Sequence, residues 1–278
     1  MASSIHRPRI SKETRYDVQD QKAKDRVERK RVTDEHLGIV NAFGRNDVNG
    51  PVEDYMQRHV DDLDKAGKQE RTLLHQLVEE DVLEEGRGRE LLEWLVINHP
   101  KLLLKEDENG KTALHVAAKK CGEFLQCIFS QGLGRLPMSQ NQLELKKILK
   151  QALVKKCNSG ETCLHDAVRN EDCATLLQQM IELSGANILK ETNNNLQTPL
   201  HFAVQPHPSF EVVKKLIELC PDAMFCKDKE RMTPYQCLAS MDVASGEVKD
   251  ILDLFKYHCV RTKSRREIRE YLYAGSEG

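Results

Sequence analysis

A four-residue pattern, Thr-x-Leu-His, recurs along the 278-residue chain and limits what the chain can fold into more than any other feature. Four copies match and a fifth, Thr-Pro-Tyr-Gln, is degenerate; they begin at Thr72, Thr112, Thr162, Thr198 and Thr233. Successive threonines are 40, 50, 36 and 35 residues apart. A period of this length is typical of repeat proteins, in which each repeat packs only against its neighbours.

Each copy of the pattern predicts the start of a short helix. Threonine is a good N-cap residue, and Pro199 and Pro234 follow it at the first helical position, where no backbone N–H is needed. Apolar residues such as Leu114, Ala117 and Ala118 then recur with helical spacing. A second amphipathic run follows each copy, at 90–98, 123–132, 174–185, 210–220 and 247–258. Every unit is therefore predicted to be helix–turn–helix, and the fold all-α.

Polar segments precede the threonines and are predicted to be loops. Gly110 and Gly160 stand at the loop tips, where a positive φ is easily adopted by glycine. Leu196 and Arg231 occupy that place in the next two loops. We therefore expect these two loops to rely on Asn194 or Asn195 for the turn, or to adopt altered turns.

The segments 109–120, 159–170 and 195–206 resemble the ankyrin repeat, whose signature is TPLHxAA. The resemblance implies an ankyrin-repeat solenoid of about five units whose polar loops project as fingers. The units are placed near 67–107, 108–156, 157–193, 194–228 and 229–260. The second unit is longer than the family's repeat, and helical spacing of Leu145, Ile148 and Leu149 within 132–157 predicts one helical insertion. The segment 79–90 is expected to be an exposed loop.

The flanks of the array, which we place at 36–260, are predicted to differ from the repeats. Residues 51–63 have one apolar face and are predicted to form an N-terminal capping helix. Residues 1–35 hold ten Lys/Arg and seven Asp/Glu with few apolar residues, which predicts a disordered charged tail or a lone polar helix. Residues 261–278 are predicted to be a basic C-terminal tail.

The overall charge excludes binding by bulk electrostatics. The chain has 42 Lys+Arg and 44 Asp+Glu, a net charge of -2, so no global field attracts nucleic acid or an acidic membrane. No apolar run is long enough to span a membrane, and the first residues do not resemble a signal peptide. We expect a cytoplasmic or nuclear protein, which fits nine scattered cysteines without a CxxC pair.

Four histidines, His75, His115, His165 and His201, recur at the last position of the pattern. Because whole repeats separate them, we interpret them as structural partners of the N-cap threonines rather than as metal ligands or catalytic bases. The NGKT segment that ends at Thr112 lacks the first glycine of a phosphate-binding loop, and the chain has no GxSxG, HExxH or GxGxxG motif. We predict no enzymatic activity, metal, cofactor or small-molecule substrate.

The ankyrin resemblance implies a non-catalytic scaffold or adaptor that binds a protein through a concave face of fingers and inner helices. The exposed variable positions of the family motif carry mixed charges here, so we expect a protein partner rather than a phosphate backbone. We also expect the chain to be a monomer. The predicted partner-binding residues are Glu108, Asn109, Lys111, Lys119, Lys120, Asn158, Ser159, Glu161, Arg169, Asn170, Asn194, Asn195, Gln197, Gln205, Lys229, Glu230 and Met232.

Two alternatives come from other classes of protein. The segment 91–117 resembles ankyrin segments of large fungal proteins, some of which continue into a subtilisin-like peptidase, so the chain could be a regulatory or targeting part of a larger enzyme. The basic runs 22–31 and 261–270 resemble nuclear-localisation patches, and could also associate with nucleic acid in a salt-dependent way. Solvated mixed-charge tails are the simpler interpretation of both runs.

Overall fold

The computed structural model describes residues 12–80, 87–120, 122–132, 139–170, 174–241 and 246–262, and these are helical apart from loops and turns. The α-helices are α1 Lys12–Gly44, α2 Val52–Met56, α3 Val60–Leu63, α4 Leu73–Glu79, α5 Gly88–Asn98, α6 Ala113–Lys120, α7 Gly122–Gly132, α8 Gln140–Val154, α9 Cys163–Ala167, α10 Ala174–Ser184, α11 Pro199–Ala203, α12 Phe210–Leu219, α13 Pro234–Ala239 and α14 Gly246–Thr262. Short 3₁₀ segments lie at Lys68–Glu70, Pro100–Leu104, Ala186–Lys190 and Pro221–Phe225.

Two layers of helices build the array. An inner helix begins directly after each of the five threonines, and the inner helices α4, α6, α9, α11 and α13 pack in that order. The outer helices α5, α7, α10, α12 and α14 form the second layer in the same order. The prediction of an all-α solenoid of helix–turn–helix units is confirmed.

One continuous apolar core runs through the array, from Ile39 in α1 to Cys259 in α14. On the inner helices the core is made by the residues that the sequence pattern selects, among them Leu114, Ala117 and Leu164, which are fully buried. Small alanine side chains at these positions allow neighbouring helices to approach closely, which is how the units stack.

The helical insertion in the second unit is α8, which buries Leu145, Ile148 and Leu149 as predicted. In the first, third and fourth units a short 3₁₀ segment lies just before the next finger and contributes two buried residues, which are Leu102 and Leu103 in the first unit. In the second unit the C-terminal turn of α8 supplies the equivalent buried residues. Ser139 caps the start of α8 by accepting from the Gln142 N–H at 3.3 Å. The insertion therefore replaces a 3₁₀ segment and widens the outer layer.

The prediction of a disordered tail at 1–35 is wrong for residues 12–35, which belong to α1. Helix α1 continues to Gly44 and packs against α4 and α5 through Val32, Ile39, Val40 and Phe43, all buried. The predicted boundary at 35/36 divides this helix, in which Val32 is the first buried apolar residue among the described side chains. Residues 21–31 are exposed throughout and match the alternative of a polar helix. Residues 1–11 lie outside the described part.

The prediction of a single capping helix over 51–63 is also wrong. The segment forms two short helices, α2 and α3, separated by turns at 57–59. Val52, Met56 and Leu63 are buried as expected, but Val60 is 45% exposed because of the break. The N-terminal end of the array is therefore capped by the C-terminal half of α1 together with α2.

Parts of three other predictions lie outside the described residues. They are residues 81–86 of the expected loop at 79–90, residues 133–138 ahead of the insertion helix, and residues 263–278 of the C-terminal tail. Among the described residues, no helix combines the length and apolarity that a membrane crossing requires.

Candidate binding face

A histidine joins each of the first four units to the finger of the next. In the third unit the Thr162 N–H donates to His165 Nδ1 at 3.1 Å, and the threonine hydroxyl lies 3.0 Å from the same nitrogen. His165 Nε2 lies 3.1 Å from the Gln197 carbonyl oxygen in the following finger. The other units repeat this arrangement, with His75, His115 and His201 lying near the Lys111, Glu161 and Met232 carbonyl oxygens. The histidines therefore contact the N-cap threonines, as interpreted from the sequence, and also connect neighbouring units.

These hydrogen bonds fix the charge state of the rings. Nδ1 accepts from a backbone N–H, so Nε2 carries the proton and donates to the next finger. Burial lowers the pKa of all four histidines, and lowers that of His165 to about 4. The rings are thus neutral at physiological pH, and both nitrogens of each ring are engaged.

In the fifth unit Gln236 takes the place of the histidine. Its side-chain oxygen accepts from the Thr233 N–H at 2.9 Å, which reproduces the local half of the arrangement. Among the described residues, α13 is the last inner helix in chain order. The degenerate pattern therefore keeps the contact between the side chain at its last position and the N-cap threonine.

The second to fifth fingers are each organised by a side chain five positions before the threonine. Asp107 Oδ1 accepts from the Asn109 N–H at 2.9 Å and from the Lys111 N–H at 2.8 Å. Asn193 and Asp228 do the same in the fourth and fifth fingers. Cys157 stands at this place in the third finger, where its sulfur lies 3.0 Å from Ser159 Oγ. The sequence analysis missed these residues, although their constant offset from the threonines would have revealed them.

Backbone hydrogen bonds link the fingers into one row. The N–H groups of Glu108, Asn158, Asn194 and Lys229 each donate to a carbonyl oxygen of the preceding finger, at 2.9 to 3.0 Å. Those oxygens belong to Gln69, Asn109, Ser159 and Asn195. The side chains at the finger tips are consequently held at fixed spacings along the array.

The turn at each fingertip uses a positive φ whether or not a glycine is present. Gly110 and Gly160 have φ of 71° and 78°, and Leu196 and Arg231 have φ of 58° and 64°. The expectation that Asn194 or Asn195 takes over this turn, or that the turn changes, is wrong. The fingers that hold Leu196 and Arg231 make the same backbone hydrogen bond to the preceding finger as the fingers that hold Gly110 and Gly160.

The predicted partner-binding residues divide into two groups. Most are exposed and lie at finger tips or at the C-terminal ends of inner helices: Glu108, Asn109, Lys119, Lys120, Asn158, Ser159, Arg169, Asn194, Asn195, Lys229 and Glu230. The remaining ones are half-buried: Lys111, Glu161, Asn170, Gln197, Gln205 and Met232.

Several of these side chains hold the array together. Lys111 Nζ lies 3.0 Å from the buried Asp166 carboxylate of the next unit. Burial acts to lower the pKa of Lys111, but the charge of Asp166 and the hydrogen bond outweigh it and raise the pKa. The Arg169 guanidinium lies 4.3 Å from the centre of the Phe202 ring. Asn158 donates its side-chain amide to the Glu108 carbonyl oxygen at 3.2 Å. These residues therefore contribute to stability as well as to the surface.

His201, Asp228 and Cys237 form a buried group whose potential ligand atoms lie within 4.8 Å of one another. The geometry does not suit a metal ion, because the two nitrogens of His201 are already bonded to Thr198 and to the Met232 carbonyl oxygen. Burial also raises the pKa of the Cys237 thiol to about 11, which disfavours the thiolate that a metal requires. His201 and Asp228 instead hold the fifth finger in place through their hydrogen bonds.

No family model matches the chain. A curated relative, the putative ankyrin repeat protein FPV031 of Fowlpox virus (strain NVSL), is 33% identical over 103 residues, which is 37% of this chain and 28% of that protein. The chain thus matches only about a quarter of the length of that relative.

Two solved structures are similar in part. The Bd0816 predatory endopeptidase from Bdellovibrio bacteriovorus in complex with immunity protein Bd3460 matches at 15% identity and a TM-score of 0.48, over 81% of this chain and 97% of that one. The ankyrin repeat domain of Bcl-3, a member of the IkappaB protein family, matches at 19% identity and a TM-score of 0.33, over 72% and 90%.

The sequence relationship to a viral ankyrin repeat protein agrees with the repeated geometry of the chain. Each unit begins at a threonine N-cap and continues through an inner and an outer helix, and the first four units each lead to a finger that is bonded to the preceding finger. The helix–loop–helix units of this chain are similar to those of ankyrin repeat proteins.

Proposed function

We propose that this chain is a non-catalytic protein-binding scaffold whose binding face consists of the finger tips and the C-terminal ends of the inner helices. The observation that carries the proposal is the hydrogen-bonded row of fingers, which presents exposed side chains from four fingers at fixed spacings. A preorganised row of this kind binds with little loss of conformational entropy. Its charges are of both signs, with Glu108 and Glu230 on the same face as lysines, which favours a protein over a phosphate backbone.

The chemistry of the buried groups supports a binding role over catalysis. The histidines are neutral, and each uses both ring nitrogens within the scaffold. Burial raises the pKa of the Cys127 thiol to about 12, which leaves it protonated and unreactive. Within the described residues, the polar groups of the face therefore either form hydrogen bonds that hold the units together or are exposed to solvent.

The test is a face variant that leaves the scaffold intact: Glu108→Lys, Lys119→Glu, Lys229→Glu and Glu230→Lys. These four side chains are exposed, and the net charge of the chain stays the same. Lys111 and Arg169 are left unchanged, because reversing them would break the contacts to Asp166 and Phe202. A matched control reverses four exposed charges on the outer layer: Glu123→Lys, Lys146→Glu, Lys150→Glu and Glu218→Lys.

Partners are captured from native lysate with the unmodified chain and both variants, and compared by quantitative mass spectrometry. We expect a defined set of proteins to be lost with the face variant and kept with the control, while both variants retain the helical circular dichroism spectrum. If all three chains captured the same proteins, or if proteins were lost only with the outer-layer control, the fingers would not be the binding face.

A further inference from the structure

The exposed half of α1, residues 21–31, and the first finger, which contains Lys68 and Gln69, form a groove at the N-terminal end of the finger row. The cavity between them has a volume of about 810 Å³ and is lined by residues that include Lys22, Arg26, Val27, Lys30 and Lys68. The Lys68 N–H donates to the Thr33 hydroxyl at 2.7 Å, which attaches the finger to the helix. Because this finger bonds to the next one through the Gln69 carbonyl oxygen, the groove continues the row of fingers.

The groove is strongly basic although the chain as a whole is not. Within the described residues, no carboxylate forms an ion pair with Lys22, Arg26, Lys30 or Lys68. Nearby Arg29 differs, because it pairs with Glu70 of the first finger. Four cations thus face a shared space in which Asp25 is the one carboxylate among the described lining residues.

The cations are arranged regularly. Lys22, Arg26 and Lys30 are four residues apart on α1, so they lie on one side of the helix at steps of roughly 6 Å. Lys68 stands on the opposite wall, and Val27, 70% exposed, adds an apolar surface. We propose that this groove binds an acidic peptide segment of a protein partner, with its carboxylates along the row of cations and an apolar side chain against Val27.

One feature favours an acidic peptide over a nucleic acid. None of the described lining residues is aromatic, so the groove lacks the stacking surface on which single-stranded bases are usually held. The site is separate from the finger-tip face and does not depend on that proposal.

The experiment measures binding of a fluorescein-labelled peptide of about eight residues, composed of glutamate with one central leucine, which spans roughly 26 Å when extended. Fluorescence anisotropy titrations use the full chain at low ionic strength. Two comparison probes are the same peptide with glutamine in place of glutamate and an oligothymidylate of matching charge. We expect saturable binding of the acidic peptide, and weaker binding of both comparison probes.

A groove variant, Lys22→Gln, Arg26→Gln, Lys30→Gln and Lys68→Gln, is expected to bind the acidic peptide about tenfold more weakly or worse. The matched control removes four exposed cations elsewhere, Lys146→Gln, Lys147→Gln, Lys150→Gln and Lys249→Gln, and should bind like the unmodified chain. The face variant described above should also keep peptide binding.

Three results would overturn the proposal of an acidic-peptide site. One is that no saturable peptide binding occurs, and another is that the control or the face variant loses as much affinity as the groove variant. The third is tighter binding of the oligothymidylate than of the peptide, which would make the groove a nucleic-acid site instead.

Discussion

His165 donates from Nε2 to the Gln197 carbonyl oxygen, 3.1 Å away in the finger of the next unit. The same ring accepts from the Thr162 N–H through Nδ1, so one side chain caps its own helix and also holds the neighbouring finger. Cooperative folding of a solenoid depends on such nearest-neighbour contacts.

Replacing this histidine with glutamine should isolate the inter-unit contribution. Gln236 shows that a glutamine side chain can cap the threonine N–H, whereas its short side chain is not expected to reach the next finger. We expect His165→Gln to lower the free energy of unfolding by about 1–2 kcal/mol, since the partly buried Gln197 carbonyl loses its donor. Urea denaturation measures the change, and the exposed His207→Gln serves as the control. Equal stability of the His165 variant and the unmodified chain would contradict the inter-unit role.

Acidification should destabilise the array through the four buried histidines. Burial lowers the folded-state pKa of each, and brings that of His165 to about 4, below the unfolded value of about 6.5. The unfolded chain therefore binds more protons between these values, so the stabilisation is complete above about pH 6.5 and declines as the pH falls towards 4. Unfolding free energies measured from pH 7 to pH 5 should decrease, and less steeply for His165→Gln. A flat profile would be inconsistent with buried neutral rings.

The two non-glycine fingertips should gain stability from glycine. Leu196 and Arg231 have φ of 58° and 64°, where a side chain is disfavoured, so Leu196→Gly and Arg231→Gly should each add about 0.5–1 kcal/mol to the free energy of unfolding. The opposite change, Gly160→Ala, should destabilise, because its Cβ would lie 2.7 Å from the Asn194 backbone nitrogen. Thermal or urea unfolding measures all three. Destabilisation by both glycine variants would show that these side chains make compensating contacts.

The repeated pattern predicted most of the array because its physical requirements are local. A threonine N-cap and apolar residues at helical spacing determine where each inner helix begins and which face it buries, as at Thr112 and Leu114. The histidines were predictable for the same reason, since the ring lies three residues from the threonine it contacts. The insertion helix α8 was found from its spacing alone.

The remaining features depend on contacts between distant segments. The φ of Leu196 follows from hydrogen bonds to the fingers on both sides, whereas local preferences for leucine oppose it. The extent of α1 was missed because its exposed half, residues 21–31, is polar and resembles a disordered tail in composition. Eleven of the candidate site residues are exposed as predicted and six are half-buried. The pairing of Lys111 with Asp166 could not be predicted, since 55 residues separate them.

The N-terminal cap should depend on the C-terminal half of α1. Phe43 is fully buried, with its ring 5.3 Å from that of Tyr55 and near α5. We expect Phe43→Ala to lower the free energy of unfolding by about 3–5 kcal/mol through lost burial and a cavity. Val27→Ala, on the exposed half of the same helix, should change it by less than about 0.5 kcal/mol. Similar losses for both variants in urea unfolding would mean that the whole of α1 supports the array.

Removing Lys111 should destabilise the junction between the second and third units. The Asp166 side chain is only 4% exposed, and Lys111 Nζ lies 3.0 Å from it, so Lys111→Met leaves a buried carboxylate without its cation. Because Lys111 itself is partly solvated, we expect a loss of about 1–3 kcal/mol, less than for a fully buried pair. In an Asp166→Asn background the same change should cost much less, and equal costs in the two backgrounds by urea unfolding would rule out the ion pair as the cause. A charge reversal at Lys111 would therefore lower the stability of the fold as well as any binding. A reversal at exposed Lys119 tests the proposed binding face without this effect.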